Sequence, residues 1–95
     1  MPSVRLIVTF HAVPGRSADL AGLMQPRMEE VRKEPGCLQY ELFRGTEHAD
    51  TLVLLERWAD DDAFKAHQAV NATRSPIGGN LRLPERLLER YYADE

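Results

Sequence analysis

EPGCLQYELFRGTEHADTLVLLERWADDDAFKAHQAV, residues 34–70, sets a Pro-Gly break, two β-type runs and a short acidic-capped helix in direct succession. Residues 38–44 and 51–58 are rich in β-branched and aromatic side chains and are joined by a polar loop, 45–50, so they read as an antiparallel hairpin. Asp60 is the natural N-cap of the helix that follows, and Asp61 and Asp62 put negative charge against its dipole. On that helix Phe64 and His67 are three residues apart and share one face.

Working outward, residues 4–13 form a first strand that includes Phe10 and closes at Pro14-Gly15. Ser17 is the expected cap of a first helix running to about Lys33, with Leu20, Leu23, Met24, Met28 and Val31 as its apolar stripe. Pro26 cannot donate to the carbonyl of Gly22, which predicts a bend there. Glu34-Pro35-Gly36 stops the helix. Residues 71–84 lack sustained periodicity and read as an irregular segment, with Gly78-Gly79 as a turn, and residues 85–92 supply a fourth strand. The order βαββαβ defines a ferredoxin-like α+β fold: a four-stranded antiparallel sheet with two helices on one face. Strands apolar on both faces need cover on both, and helices supply only one, so a second copy of the chain is expected against the other face.

At 95 residues the chain is expected to form one domain spanning 1–95, with a thin stability margin that dimerisation would improve. A formal charge of −3 with scattered Lys and Arg offers no basic stripe for nucleic acid. Cys37 is the only cysteine, so no intrachain disulfide or thiolate cluster is available, which suits the cytoplasm. No apolar run approaches the about 20 residues of a membrane span, and the N-terminus lacks a basic region followed by an apolar core, so neither membrane anchoring nor export is expected.

Glu34-Pro35-Gly36-Cys37 with Tyr40-Glu41, Leu54-Leu55-Glu56-Arg57-Trp58, and Phe64-Lys65-Ala66-His67 together resemble the antibiotic biosynthesis monooxygenase family of dimeric α/β-barrel proteins. The resemblance runs from the Pro14-Gly15 turn to the second helix. It implies homodimers packed through their sheet faces, a cavity between sheet and helices, no cofactor, and activities that range from oxygenation of quinols and polyketide phenols to haem breakdown and isomerisation of small phosphorylated ketones. Haem-degrading members share an asparagine and a tryptophan at positions occupied here by Val8 and His67, which disfavours haem chemistry. Ser75-Pro76 is followed by Ile77, where many members carry a second cavity histidine.

Oxygenation of a phenolate or hydroquinone anion by dioxygen needs a dry pocket and a proton acceptor, and histidine titrates in the right range. His67 is the expected base; the competing reading is a core histidine satisfied by a backbone carbonyl or by Glu56. Glu56 and Trp58 share one face of the third strand, so the carboxylate could orient His67 or take a proton, or simply pair with an arginine. The indole could wall a pocket or pack the core. Tyr40, Phe64 and Phe10 are further expected contacts for a small aromatic substrate, and Arg74 would face an anionic substituent or solvent. His11 and His48 are not spaced with other ligands, and no metal site is expected. The leading function is thus a cofactor-independent monooxygenase acting on an aromatic quinol or polyketide-like phenol. The alternatives are a non-catalytic dimer that binds a small molecule or serves in stress protection, and a small ketone isomerase.

Overall fold

The structure, a computed structural model, describes residues 2–94. Seven elements follow in order: β1 Ser3–Ala12, α1 Ser17–Arg32, β2 Cys37–Arg44, β3 Thr51–Trp58, α2 Asp61–Asn71, a single 3-10 turn Gly79–Leu81, and β4 Arg82–Ala93. The strands make one antiparallel sheet in the order β2-β3-β1-β4, so β1 and β3 lie in the middle and β2 and β4 at the edges. This is the expected ferredoxin-like βαββαβ arrangement.

Alternation along the central strands sorts the faces. Val4, Leu6, Val8, Phe10 and Ala12 of β1 and Leu52, Leu54, Glu56 and Trp58 of β3 point toward the helices and are buried. They meet Leu20, Met24, Met28 and Val31 of α1 and Phe64 of α2 in one apolar cluster. Leu23, expected on the α1 stripe, is 53% exposed and does not belong to the core. The opposite sheet face has no helix over it. Phe43, Leu87 and Tyr91 lie there, each about half exposed.

Two boundaries differ from expectation. Ser17 is the first helical residue of α1 rather than its cap; the cap position is Arg16, without a side-chain hydrogen bond, and Ser17 Oγ accepts from Arg44 Nη1 at 3.3 Å instead. β4 starts at Arg82, not Glu85. Pro84 lies inside it because an edge strand tolerates a missing N–H, and the β1–β4 register shifts there, with Phe10 opposite Arg86 and Ala12 opposite Arg82. Gly78, at φ 103°, makes the turn that leads into this strand.

Asp60 caps α2 as expected, accepting from Ala63 N at 2.8 Å. The 34–36 turn is fastened against the start of the same helix: Cys37 N donates to Glu34 O at 3.1 Å and Ala59 N to Gly36 O at 2.8 Å. Gly36 has φ 81°, and a Cβ built on it would stand 2.5 Å from the Ala63 Cβ. Alanine at Gly36 is therefore expected to destabilise the fold by about 3 kcal/mol, the sum of a left-handed backbone penalty and a steric one, seen as a lower urea midpoint. A change below about 1 kcal/mol would show that the turn is free to move away from α2.

Candidate active site

Because Ala63 and His67 are one helical turn apart, the turn that packs on Ala63 also brings Glu34 to His67. Glu34 Oε1 is 3.0 Å from His67 Nδ1. Its other oxygen, Oε2, is 2.8 Å from Nη1 of Arg74, which lies just beyond the end of α2 and folds back over the turn. The same contact fails hydrogen-bond angles, so it is an ion pair and not a directed bond. Glu30 Oε1 stands 3.7 Å from Arg74 Nη2. A carboxylate oxygen accepts, so the tautomer that matches this contact has its proton on Nδ1 and its lone pair on Nε2. That is the Asp-His relation of a catalytic triad, with Glu34 in the orienting place.

β3 supplies the other half. Trp58 is fully buried, and its indole stacks on the imidazole with centroids 4.4 Å apart and planes at 27°. Its Nε1 donates to Glu56 Oε1 at 3.1 Å. That oxygen is 3.9 Å from His67 Nε2, too far for a hydrogen bond but close enough for a hydroxyl lying about 2.8 Å from both to bridge them. Burial pushes the Glu56 carboxyl above the ordinary carboxylate range, against the lowering effects of the Trp58 donor and the neighbouring His67 ring.

These groups face a cavity of about 400 Å³ between the helices and the sheet. His67, Glu56, Tyr40 and Phe64 line it, as do Arg74 and Ile77 from the segment after α2. Tyr40 meets the imidazole edge-on, at 5.8 Å and 61°. Burial, and then the charge of Glu56, raise its phenol, which therefore stays protonated and can act as a hydrogen-bond donor toward a ligand. Among the described residues no three His, Cys, Asp or Glu side chains group as metal ligands would.

The chain matches the antibiotic biosynthesis monooxygenase family over residues 3–74, most of its length. It belongs to that family. Family members are typically dimers. Among sequence relatives, YcnE of Bacillus subtilis (strain 168), a provisionally assigned monooxygenase, is 33% identical over 54 residues. That stretch is 57% of either chain, so only a little over half of the relative's length is matched. A Pseudomonas aeruginosa crystal structure, PA3566, is 25% identical with a TM-score of 0.79, over 100% of this chain and 97% of that one. A provisionally assigned antibiotic biosynthesis monooxygenase from Caulobacter crescentus CB15 superposes with a TM-score of 0.81 at 25% identity, covering 99% and 92% of the two chains.

Within this monooxygenase-family domain the expected site residues fall into two sets. His67, Glu56, Tyr40, Phe64 and Arg74 converge on the cavity. Phe10 and Trp58 do not line it: Phe10 is 1% exposed with Arg82 over its ring, and Trp58 stands behind His67 as the platform on which the imidazole rests. In the sequence Glu34 belongs to a helix stop and to the motif that carries the family resemblance, and no local pattern marks a carboxylate that acts on a residue 33 positions away. Arg27, Arg82 and Arg86 also line the cavity and have no signature in the sequence.

The Glu56 environment predicts a pH effect on stability. A carboxyl whose folded pKa is raised binds its proton more tightly folded than unfolded, so stability falls as pH climbs from about the ordinary 4.5 through the folded value. Glu56→Gln keeps an oxygen for Trp58 Nε1 and removes the titration. Urea midpoints measured from about pH 4 to about pH 8 are expected to show wild type losing ground to the variant as pH rises. Parallel curves would place the Glu56 carboxyl in a solvated environment.

Proposed function

We propose that this chain is a cofactor-independent monooxygenase that oxidises an aromatic quinol or polyketide-like phenol with molecular oxygen. The observation that carries the reading is His67, with Nδ1 beside the Glu34 carboxylate and Nε2 beside Glu56 at the wall of a cavity large enough for a small aromatic ring. Family membership supports an oxygenase-type activity.

The reaction asks little more of the protein. A neutral phenol is a poor one-electron donor to triplet dioxygen, whereas its anion passes an electron readily, so the committing step is removal of the hydroxyl proton. A substrate hydroxyl bridging Nε2 and Glu56 would deliver that proton to His67, and the imidazolium so formed would be stabilised by Glu34. One oxygen atom ends on the substrate and the other leaves as water, with both hydrogens of that water drawn from the substrate. Phe64 and the aliphatic side chains of Leu6, Val8 and Leu54 give the ring an apolar surface, and the Tyr40 hydroxyl would donate to the developing oxyanion.

We further read the protein as a cytoplasmic single domain over residues 1–95 that acts as a homodimer through the open sheet face. Phe43 and Leu87 lie there on one cross-strand row through Val53 and Thr9, which supports a partner on that face. In the isomerase reading Arg74 would hold a substrate anion; its pairing with Glu34 favours the oxygenase instead. Binding without catalysis would suit an apolar cavity with His67 bonded to backbone, and its partner here is a carboxylate.

The test is oxygen uptake by metal-free protein with a panel of quinols and polyhydroxylated aromatics. Saturable acceleration on at least one member is expected. Saturable ligand binding with no uptake across the panel would overturn the oxygenase reading in favour of a binding protein or a proton-transfer enzyme.

A further inference from the structure

Four arginines line the cavity, and they are not alike. Arg74 is neutralised by Glu34, and Arg27 Nη2 donates to the Ser75 carbonyl at 2.9 Å, which pins the segment after α2. Arg82 and Arg86 stand on the helix-facing side of β4, opposite Ala12 and Phe10 of β1, and neither makes a salt bridge among the described residues. The Arg82 guanidinium carbon lies over the Phe10 ring, 4.2 Å from its centroid, a cation–π contact that holds the group at the β4 wall. The side chain is partly buried. Burial, and secondly the charge of Arg86, lower the Arg82 pKa, and the Tyr40 phenol acts on the same group from across the cavity. Arg86 in turn acts on Glu56. Arg82 and Arg86 thus put two like charges on the β4 wall of a cavity that His67 and Glu56 also line, in a chain of net charge −3.

Like charges lining one cavity repel, and the partial burial of Arg82 adds to the cost, so the arrangement is better satisfied with an anion between them. A guanidinium fork matches a carboxylate in two parallel hydrogen bonds. We propose that Arg82 and Arg86 form a carboxylate subsite, and that the substrate is a phenol bearing an acidic substituent, anchored at β4 while its hydroxyl reaches Nε2 of His67. The proposal rests on the phenol-oxidising reading for the nature of the ring, and on the two arginines for the acid.

Calorimetric titration with a hydroxynaphthoate and with its carboxamide tests this without oxygen chemistry. Wild type is expected to bind the acid about 10–100-fold more tightly than the amide, with a preference that shrinks as salt is added. Arg82→Gln with Arg86→Gln should bind the two probes alike. Arg86→Gln alone, at an exposed side chain without a hydrogen bond among the described residues, should lose a large part of the preference without risk to the fold. Equal affinity of wild type for both probes, no binding of either, or a preference that survives the double substitution overturns the subsite. The two readings fail separately. Acid preference without oxygen uptake by any phenol leaves the subsite and removes the oxygenase, whereas oxygen uptake on neutral phenols without acid preference does the reverse.

Discussion

His67→Ala is expected to lower oxygen-dependent turnover about 10²–10⁴-fold, the usual contribution of a positioned general base. The loss should fall on kcat rather than on KM, because the imidazole takes a proton in the transition state and makes little of the ground-state contact area. Added imidazole should restore part of the rate, since alanine leaves an empty slot against the Trp58 ring and beside Glu34 Oε1. Rescue distinguishes a missing base from a collapsed pocket, and thermal unfolding of the variant checks the fold directly. Glu34→Gln provides the companion measurement. It keeps the size of the side chain but can donate to Nδ1, which allows the other tautomer and turns Nε2 from acceptor to donor. The rate should fall with binding unchanged. Turnover of His67→Ala within about threefold of wild type would remove the base from the mechanism.

What the sequence made legible follows the range of the forces involved. The hairpin and α2 are set by neighbours in the chain: alternation over 51–58, the acidic run after Asp60, and the Pro-Gly stop ahead of β2. β3 and the α2 cap are found where they were read. β1 is also close to its reading, because a dense β-branched run leaves few other options. β4 is longer than the sequence pattern indicates because residues 82–84 carry no sustained periodicity, and only the sheet order shows that Pro84 sits on an edge where its missing N–H costs little. Ser17 looked like a cap by residue type, yet its hydroxyl is engaged by Arg44, a partner chosen by tertiary contact.

The site divides along the same line. His67 and Phe64 share a face because helical periodicity is local, and Glu56 and Trp58 do so because strand alternation is local. Glu34 reaches His67 only because Gly36 lets the turn approach Ala63 so closely, and no spacing rule connects those positions. The arginines of β4 are brought to the cavity by the antiparallel pairing of the last strand with the first. Periodicity therefore found His67 and missed both Glu34, which pairs with it, and the arginines that share its cavity.

Trp58→Ala is expected to cost about 3–5 kcal/mol, a large part of the 5–15 kcal/mol typical for a whole domain. The indole is fully buried, and a small domain has few other large side chains to fill the space it leaves. Two further losses follow from its neighbours. Glu56 loses the hydrogen bond from Nε1 while staying buried, and His67 loses the surface it stacks on. Trp58→Phe separates these terms, because a phenyl ring keeps much of the stack and the burial but cannot donate; the loss should be about 1–3 kcal/mol, and it should grow with pH as the unsupported Glu56 carboxyl ionises. Urea unfolding of both variants at two pH values gives all four numbers. A loss below about 1 kcal/mol for the alanine variant would mean that the imidazole and β3 close over the gap. In that case the indole would not be what holds His67 in place, and the geometry at Nε2 would have to rest on Glu34 alone.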